Sequence, residues 1–165
     1  MMNVRRLGVA RELQALEPES TDSSLGRAQM MSDTRFCGKA ALVVDDLESV
    51  RELVREILLS LGFVVHAAAN GKDAIQIAKD RGEQLDVLIS DLEMPDMHGF
   101  EVAERIARLL PSIEVVYMSG NLTSEDWRFL RDDRVAAPFL PKPFSVAQIT
   151  ALMQQVFDGK KCRRL

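Results

Sequence analysis

The 165-residue chain has room for one domain and little more, and its 47% hydrophobic and 28% charged residues suit an ordinary globular core. The formal net charge of −4 is unevenly spread: residues 1–38 sum to zero, residues 158–165 carry four basic and one acidic side chain, and residues 39–157 carry a net of −7. So acidic a body repels a phosphate backbone, which argues against nucleic acid as a partner. No apolar run has the length of a membrane span, and residues 1–10 lack the apolar stretch of a secretion signal, so the expected compartment is the cytoplasm. Cys37 and Cys162 stand far apart without metal or redox spacing and read as free thiols.

Residues 1–38 read as an extension. Val4, Leu7, Leu13 and Leu16 suit one side of a short helix, but Pro18 follows, and Glu19-Ser20-Thr21-Asp22-Ser23-Ser24 has the composition of a linker. The segment is expected to be mostly disordered, with residues 1–36 dispensable for folding. From residue 39 the pattern changes. Ala40-Ala41-Leu42-Val43-Val44 is a continuous apolar run, as expected of a strand buried on both faces, and it ends in Asp45-Asp46. Leu47, Val50, Leu53, Val54, Ile57, Leu58 and Leu61 then recur at helical spacing until Gly62.

Phe63-Val64-Val65 reads as a second strand, and Asn70-Gly71 turns into a second helix carrying Ala74, Ile75, Ile77 and Ala78. Val87-Leu88-Ile89-Ser90 is a third strand running to Asp91. A third helix spans residues 100–110 before Pro111, and a fourth strand spans 113–118 before Ser119-Gly120. A weaker helical stretch covers 124–131, a short fifth strand contains Phe139-Leu140, and a final helix covers 145–157. The basic residues 159–165 form a tail.

Five strands alternating with five helices imply an α/β fold, a doubly wound parallel sheet covered on both faces. Its functional crevice lies at the carboxyl ends of the strands, where Asp45, Asp46, Asp91, Ser119, Gly120 and Lys142 fall. Three carboxylates packed together repel unless a cation resolves the conflict, and Mg²⁺ takes carboxylate, water and phosphate oxygens. Lys142 and Ser119 suit the oxygens of a phosphoryl group, and Gly120 leaves space for its donor.

These motifs, Leu42-Val43-Val44-Asp45-Asp46, Ser90-Asp91-Leu92-Glu93-Met94-Pro95-Asp96-Met97-His98-Gly99, Met118-Ser119-Gly120 and Phe139-Leu140-Pro141-Lys142-Pro143-Phe144, resemble the receiver domain of two-component response regulators. The resemblance covers about residues 39–158 and implies a flavodoxin-like strand order 2-1-3-4-5. It implies Asp91 as phosphoacceptor, with Mg²⁺ held by Asp46, Asp91, the Glu93 backbone carbonyl and Asp45, directly or through water. Ser119 becomes the switch hydroxyl, Lys142 the partner of the phosphoryl group, Phe139 the switch aromatic, and Lys142-Pro143 a cis peptide. Glu93 and Asn121, flanking the site, are expected to tune water access.

The resemblance further implies a sensor histidine kinase or histidine phosphotransfer protein as donor and a downstream protein as target. It implies a monomer or weak dimer through the face of the fourth helix, fifth strand and fifth helix. Ser119-Gly120 and the lack of a Gly-Ala pair before the fifth strand look most like receivers of hybrid histidine kinases. With no DNA-binding pattern in residues 159–165, direct DNA binding is not expected. Two rival functions are a haloacid-dehalogenase-type phosphatase, which would use Asp91 with Glu93 two residues on, and a receiver-like scaffold that works without phosphorylation. His66 and His98 lie off the matched site and read as structural or exposed.

Overall fold

The computed structural model describes residues 36–124, 126 and 137–158. The extension through residue 35, residues 125 and 127–136, which include most of the expected fourth helix with Trp127, and the tail from residue 159 lie outside them. Five parallel strands form one sheet: β1 (Ala40–Val44), β2 (Val64–Ala68), β3 (Val87–Asp91), β4 (Glu114–Ser119) and β5 (Phe139–Pro141), in the order β2-β1-β3-β4-β5. Helices α1 (Glu48–Ser60), α2 (Gly71–Arg81) and α3 (Gly99–Leu109) and a C-terminal helix (Val146–Asp158) alternate with them.

The side-chain alternation of a strand divides the core into two layers. Leu42, Val44, Leu88 and Tyr117 face α2 and α3, meeting Ala74, Ala78, Val102, Ala103 and Ile106. Ala41, Val43, Ile89, Val116 and Met118 face α1 and the C-terminal helix, meeting Val54, Leu58, Ile149 and Met153. Both faces of β1 and β3 are therefore buried, which is why their sequences read as unbroken apolar runs.

Several boundaries shift by a residue from the sequence reading, and two differ by more. The second strand begins at Val64 and runs on through His66 and Ala67, because its ladder with β1 continues to the Val44–Ala68 pair. Gly62 ends the turn after α1 at φ 93°, in the left-handed region, and frees Phe63 to pack into the core. The body also begins earlier than residue 39. Phe36 is buried, its ring stacked on Phe63 at 4.8 Å and tilted against Phe157 at 5.7 Å. One ring among polar neighbours carries no periodicity, so the sequence placed it in the extension.

Candidate functional site

Asp45 leaves β1 wholly buried, with both carboxylate oxygens and both backbone polar atoms hydrogen-bonded. Its Oδ1 accepts the Leu47 N–H at 2.9 Å, which bends the chain into α1, and its Oδ2 accepts Lys142 Nζ at 2.7 Å. Its backbone carbonyl accepts Arg51 Nη1 at 2.7 Å. Asp46, one residue on, is exposed.

Asp91 closes β3 and is buried, with Lys142 Nζ 2.9 Å from its Oδ2 and a backbone hydrogen bond from Glu93. Burial pushes the Asp91 carboxyl above the usual carboxylate range; the hydrogen bond and charge of Lys142 pull against this, and Asp45 adds to the rise. Burial also disfavours the Lys142 ammonium, but hydrogen bonds to Asp45 and Asp91 outweigh it and hold the group above the usual lysine range. The two directions agree physically. One ammonium shared by two carboxylates satisfies the lysine and under-compensates Asp91.

Oxygens of Asp45, Asp46 and Asp91 all lie within 4.8 Å of one another. Three carboxylates against one ammonium leave an excess of negative charge, and an all-oxygen donor set suits a hard divalent cation. The oxygens of Asp45 accept from Leu47 and Lys142 and those of Asp91 from Lys142 and Glu93, so the freest lone pairs belong to the exposed Asp46.

Ser119 closes β4 and is buried; its Oγ donates to the Asn121 carbonyl and accepts the Asn121 N–H, both at 3.0 Å. The Lys142 N–H donates to the Ser119 carbonyl at 2.8 Å, continuing the β4–β5 ladder and fixing the lysine beside the crevice. The Lys142–Pro143 peptide is cis. Gly120, Asn121 and the side chain of Glu93 are exposed at the rim. Phe139 of β5, paired with Tyr117 of β4, is half-buried and lines a shallow hollow with Leu152 and Gln155 of the C-terminal helix.

Gly99 was visible only as part of a motif, and its role is steric. A Cβ there would be built into the Asp91 carbonyl oxygen and within 2.9 Å of Leu92 Cα, so only glycine lets α3 start this close to β3. Arg51 carries no distinguishing signal in the sequence, since an arginine on an amphipathic helix is ordinary.

The sequence profile of the family described as response regulator receiver domain matches residues 41–154. The chain is 32% identical over 126 residues to the sensor kinase CckA of Brucella abortus (strain 2308), covering 76% of this chain and 13% of that one. It is 31% identical over 142 residues to the sensor histidine kinase AtsR of Burkholderia thailandensis, covering 84% of this chain and 23% of that one. Less than a quarter of either kinase is spanned. Among solved structures, the Vibrio cholerae chemotaxis protein CheY4 superposes with a TM-score of 0.63 at 29% identity, over 72% of this chain and 98% of that one. The receiver domain of the hybrid histidine kinase CckA superposes at 0.60 and 28% identity, over 70% and 96%. With its strand order, its strand-end carboxylates and this profile in agreement, the chain belongs to the response regulator receiver domain family.

Proposed function

We propose that this receiver accepts a phosphoryl group on Asp91 from a histidine kinase or histidine phosphotransfer protein and passes the signal to a downstream protein. The observation that carries the reading is the shared ammonium: Lys142 bridges Asp45 and Asp91 at 2.7 and 2.9 Å while Asp46 stands exposed beside them. In the transfer, a carboxylate oxygen of Asp91 forms the new O–P bond. The P–N bond of the donor breaks and its electron pair returns to the imidazole.

Asp46, Asp91 and the Glu93 carbonyl would hold Mg²⁺, with Asp45 behind them, and the ion would supply charge neutralisation for the phosphoryl oxygens. Lys142 offers its ammonium to a further oxygen, and its cost of leaving Asp45 and Asp91 falls as negative charge arrives. Ser119 can donate its hydroxyl to a phosphoryl oxygen once it releases the Asn121 carbonyl. Movement of Phe139 then follows on the β5 and C-terminal helix face, where we place the downstream contact and any weak dimer. The Glu93 side chain, which the phosphatase alternative would need as general acid, is exposed at the rim. Incubation with acetyl phosphate and Mg²⁺ tests the reading by intact mass. One phosphoryl group is expected on the wild type and none on Asp91→Asn or with EDTA; gain of mass in either control overturns it.

A further inference from the structure

His98 caps α3 at the end of the loop that begins at Asp91. Its Nδ1 accepts the Phe100 N–H at 3.4 Å, and its ring packs 5.0 Å from the Phe100 ring, itself edge-on to Tyr117 of β4 at 4.9 Å. A neutral imidazole that accepts at Nδ1 carries its proton on Nε2. That Nε2 lies 3.4 Å from Oδ1 of Asp126, a carboxylate in the helical turn that follows the loop after Ser119.

Asp126 is buried, and its second oxygen is committed. Oδ2 accepts the Thr123 N–H at 2.8 Å and the Thr123 hydroxyl at 2.6 Å, while Thr123 Oγ1 accepts the Asp126 N–H at 3.2 Å. This is a reciprocal capping box, and it fixes Thr123 to Asp126 as a unit. The loop carrying Ser119 is therefore pinned at one end by β4 and at the other by a unit that faces His98.

We propose that His98 is a positioning residue: through Asp126 it braces the Ser119 loop in its resting arrangement, against the arrangement that phosphorylation needs. The inference rests on Asp91 being the phosphoacceptor. Ser119 has one hydroxyl hydrogen, donated to Asn121, and it reaches a phosphoryl oxygen only by leaving that carbonyl. The move displaces the short stretch between Ser119 and Thr123, and the brace opposes it. A ligand that favours the displaced state binds more tightly when the brace is gone, by the factor through which the resting state loses its advantage.

The test uses the full chain, Mg²⁺ and beryllofluoride as the phosphoryl mimic. His98→Asn keeps a helix-capping oxygen but lacks the reach to Asp126, and Asp126→Asn keeps an oxygen for the capping box while turning an amide to the imidazole. Each is expected to bind beryllofluoride roughly two- to fivefold more tightly than wild type, as suits a half-exposed pair. The double variant is expected to gain nothing beyond either single one. Affinity for Mg²⁺ alone is expected to stay unchanged, since Asp45, Asp46 and Asp91 are untouched, which a general loosening of the fold would not spare. Wild-type or weaker beryllofluoride affinity in both variants, or gains that add in the double variant, would overturn the brace. Absence of beryllofluoride binding by the wild type with Mg²⁺ would overturn the acceptor reading and the brace with it.

Discussion

Lys142 Nζ lies 2.7 Å from Asp45 Oδ2 across 97 residues of sequence, so one hydrogen bond joins the end of β5 to the end of β1. Two strands, β3 and β4, stand between them in the sheet. The bond therefore spans the crevice, with Asp91 of β3 reached by the same ammonium. Removing that ammonium strands two buried carboxylates. Lys142→Ala is expected to lose about 3 kcal/mol of stability, the scale of breaking a buried pair from one side. Mg²⁺ should restore more stability to this variant than it adds to wild type, because it supplies the missing positive charge. Urea denaturation with and without Mg²⁺ measures both; an equal Mg²⁺ effect in the two proteins would refute the charge argument.

Asp91→Asn should act in the opposite direction. Burial makes the Asp91 charge costly, and one lysine divided between two carboxylates offsets it only in part. An amide of the same shape removes the charge and leaves Lys142 its bond to Asp45. Without Mg²⁺, the variant is expected to melt a few degrees higher, a gain of about 1 kcal/mol, while losing phosphorylation. A lower melting temperature would mean that the Lys142–Asp91 bond contributes more than the buried charge costs.

The fold was legible where burial leaves a signature in composition. β1 and β3 are buried on both faces and appear as apolar runs, and α1 shows its buried Val54, Ile57 and Leu58 as a periodic stripe. The edge strand was legible only in part, since His66 and Ala67 are held by the ladder with β1 rather than by strand-forming character. The carboxylates could be found because each ends a strand. Contacts made only in three dimensions left no trace: Arg51 on the Asp45 carbonyl, Phe36 on Phe63, and His98 facing Asp126.

The two glycines at the site should respond differently to a methyl group. At Gly99 the added carbon meets backbone atoms of Asp91 and Leu92, which can move only if the end of β3 moves. At Gly120 its nearest neighbour is Lys142 Cβ at 3.9 Å, an ordinary contact. Gly99→Ala is expected to lose about 3 kcal/mol or more and most of its phosphorylation. Gly120→Ala should change stability by less than about 0.5 kcal/mol. Thermal melts and acetyl phosphate labelling on both variants check the contrast; equal losses would disprove it.

Alkaline sensitivity should trace to Tyr117. Burial pushes its phenol from 10.0 up to about 12. A folded value above the unfolded one gives stability that is fully present below pH 10 and lost as pH rises through about 12. Two units correspond to about 3 kcal/mol at most. Tyr117→Phe keeps the ring against Phe100 and removes the ionisation, so its stability should fall less steeply over that window. Parallel slopes in denaturation across pH 9.5–12 would assign the alkaline loss to other groups.

The start of the folded body can be fixed by truncation. Phe36 stacks on Phe63 and meets Phe157 near the end of the C-terminal helix, and its carbonyl accepts the Lys39 N–H at 2.9 Å. Lys39 in turn sets its ammonium 5.5 Å from the Phe157 ring centroid and 2.6 Å from Asp86. A chain beginning at Ser32 keeps all of these contacts and should melt within a degree or two of the full chain. A chain beginning at Lys39 exposes Phe63 and Phe157 and should lose about 2–3 kcal/mol, the value of one buried aromatic ring. Phe36→Ala in the full chain should lose a similar amount or more, because it leaves a cavity between two rings. The cluster lies at the amino ends of β1 and β2, opposite Asp45 and Asp91 at the carboxyl ends, so labelling of Asp91 should survive in every variant that folds. A truncation at Lys39 that melts with the full chain would show that Phe36 adds nothing to the core, and loss of labelling in a folded Phe36→Ala would show that the two ends of the sheet are coupled.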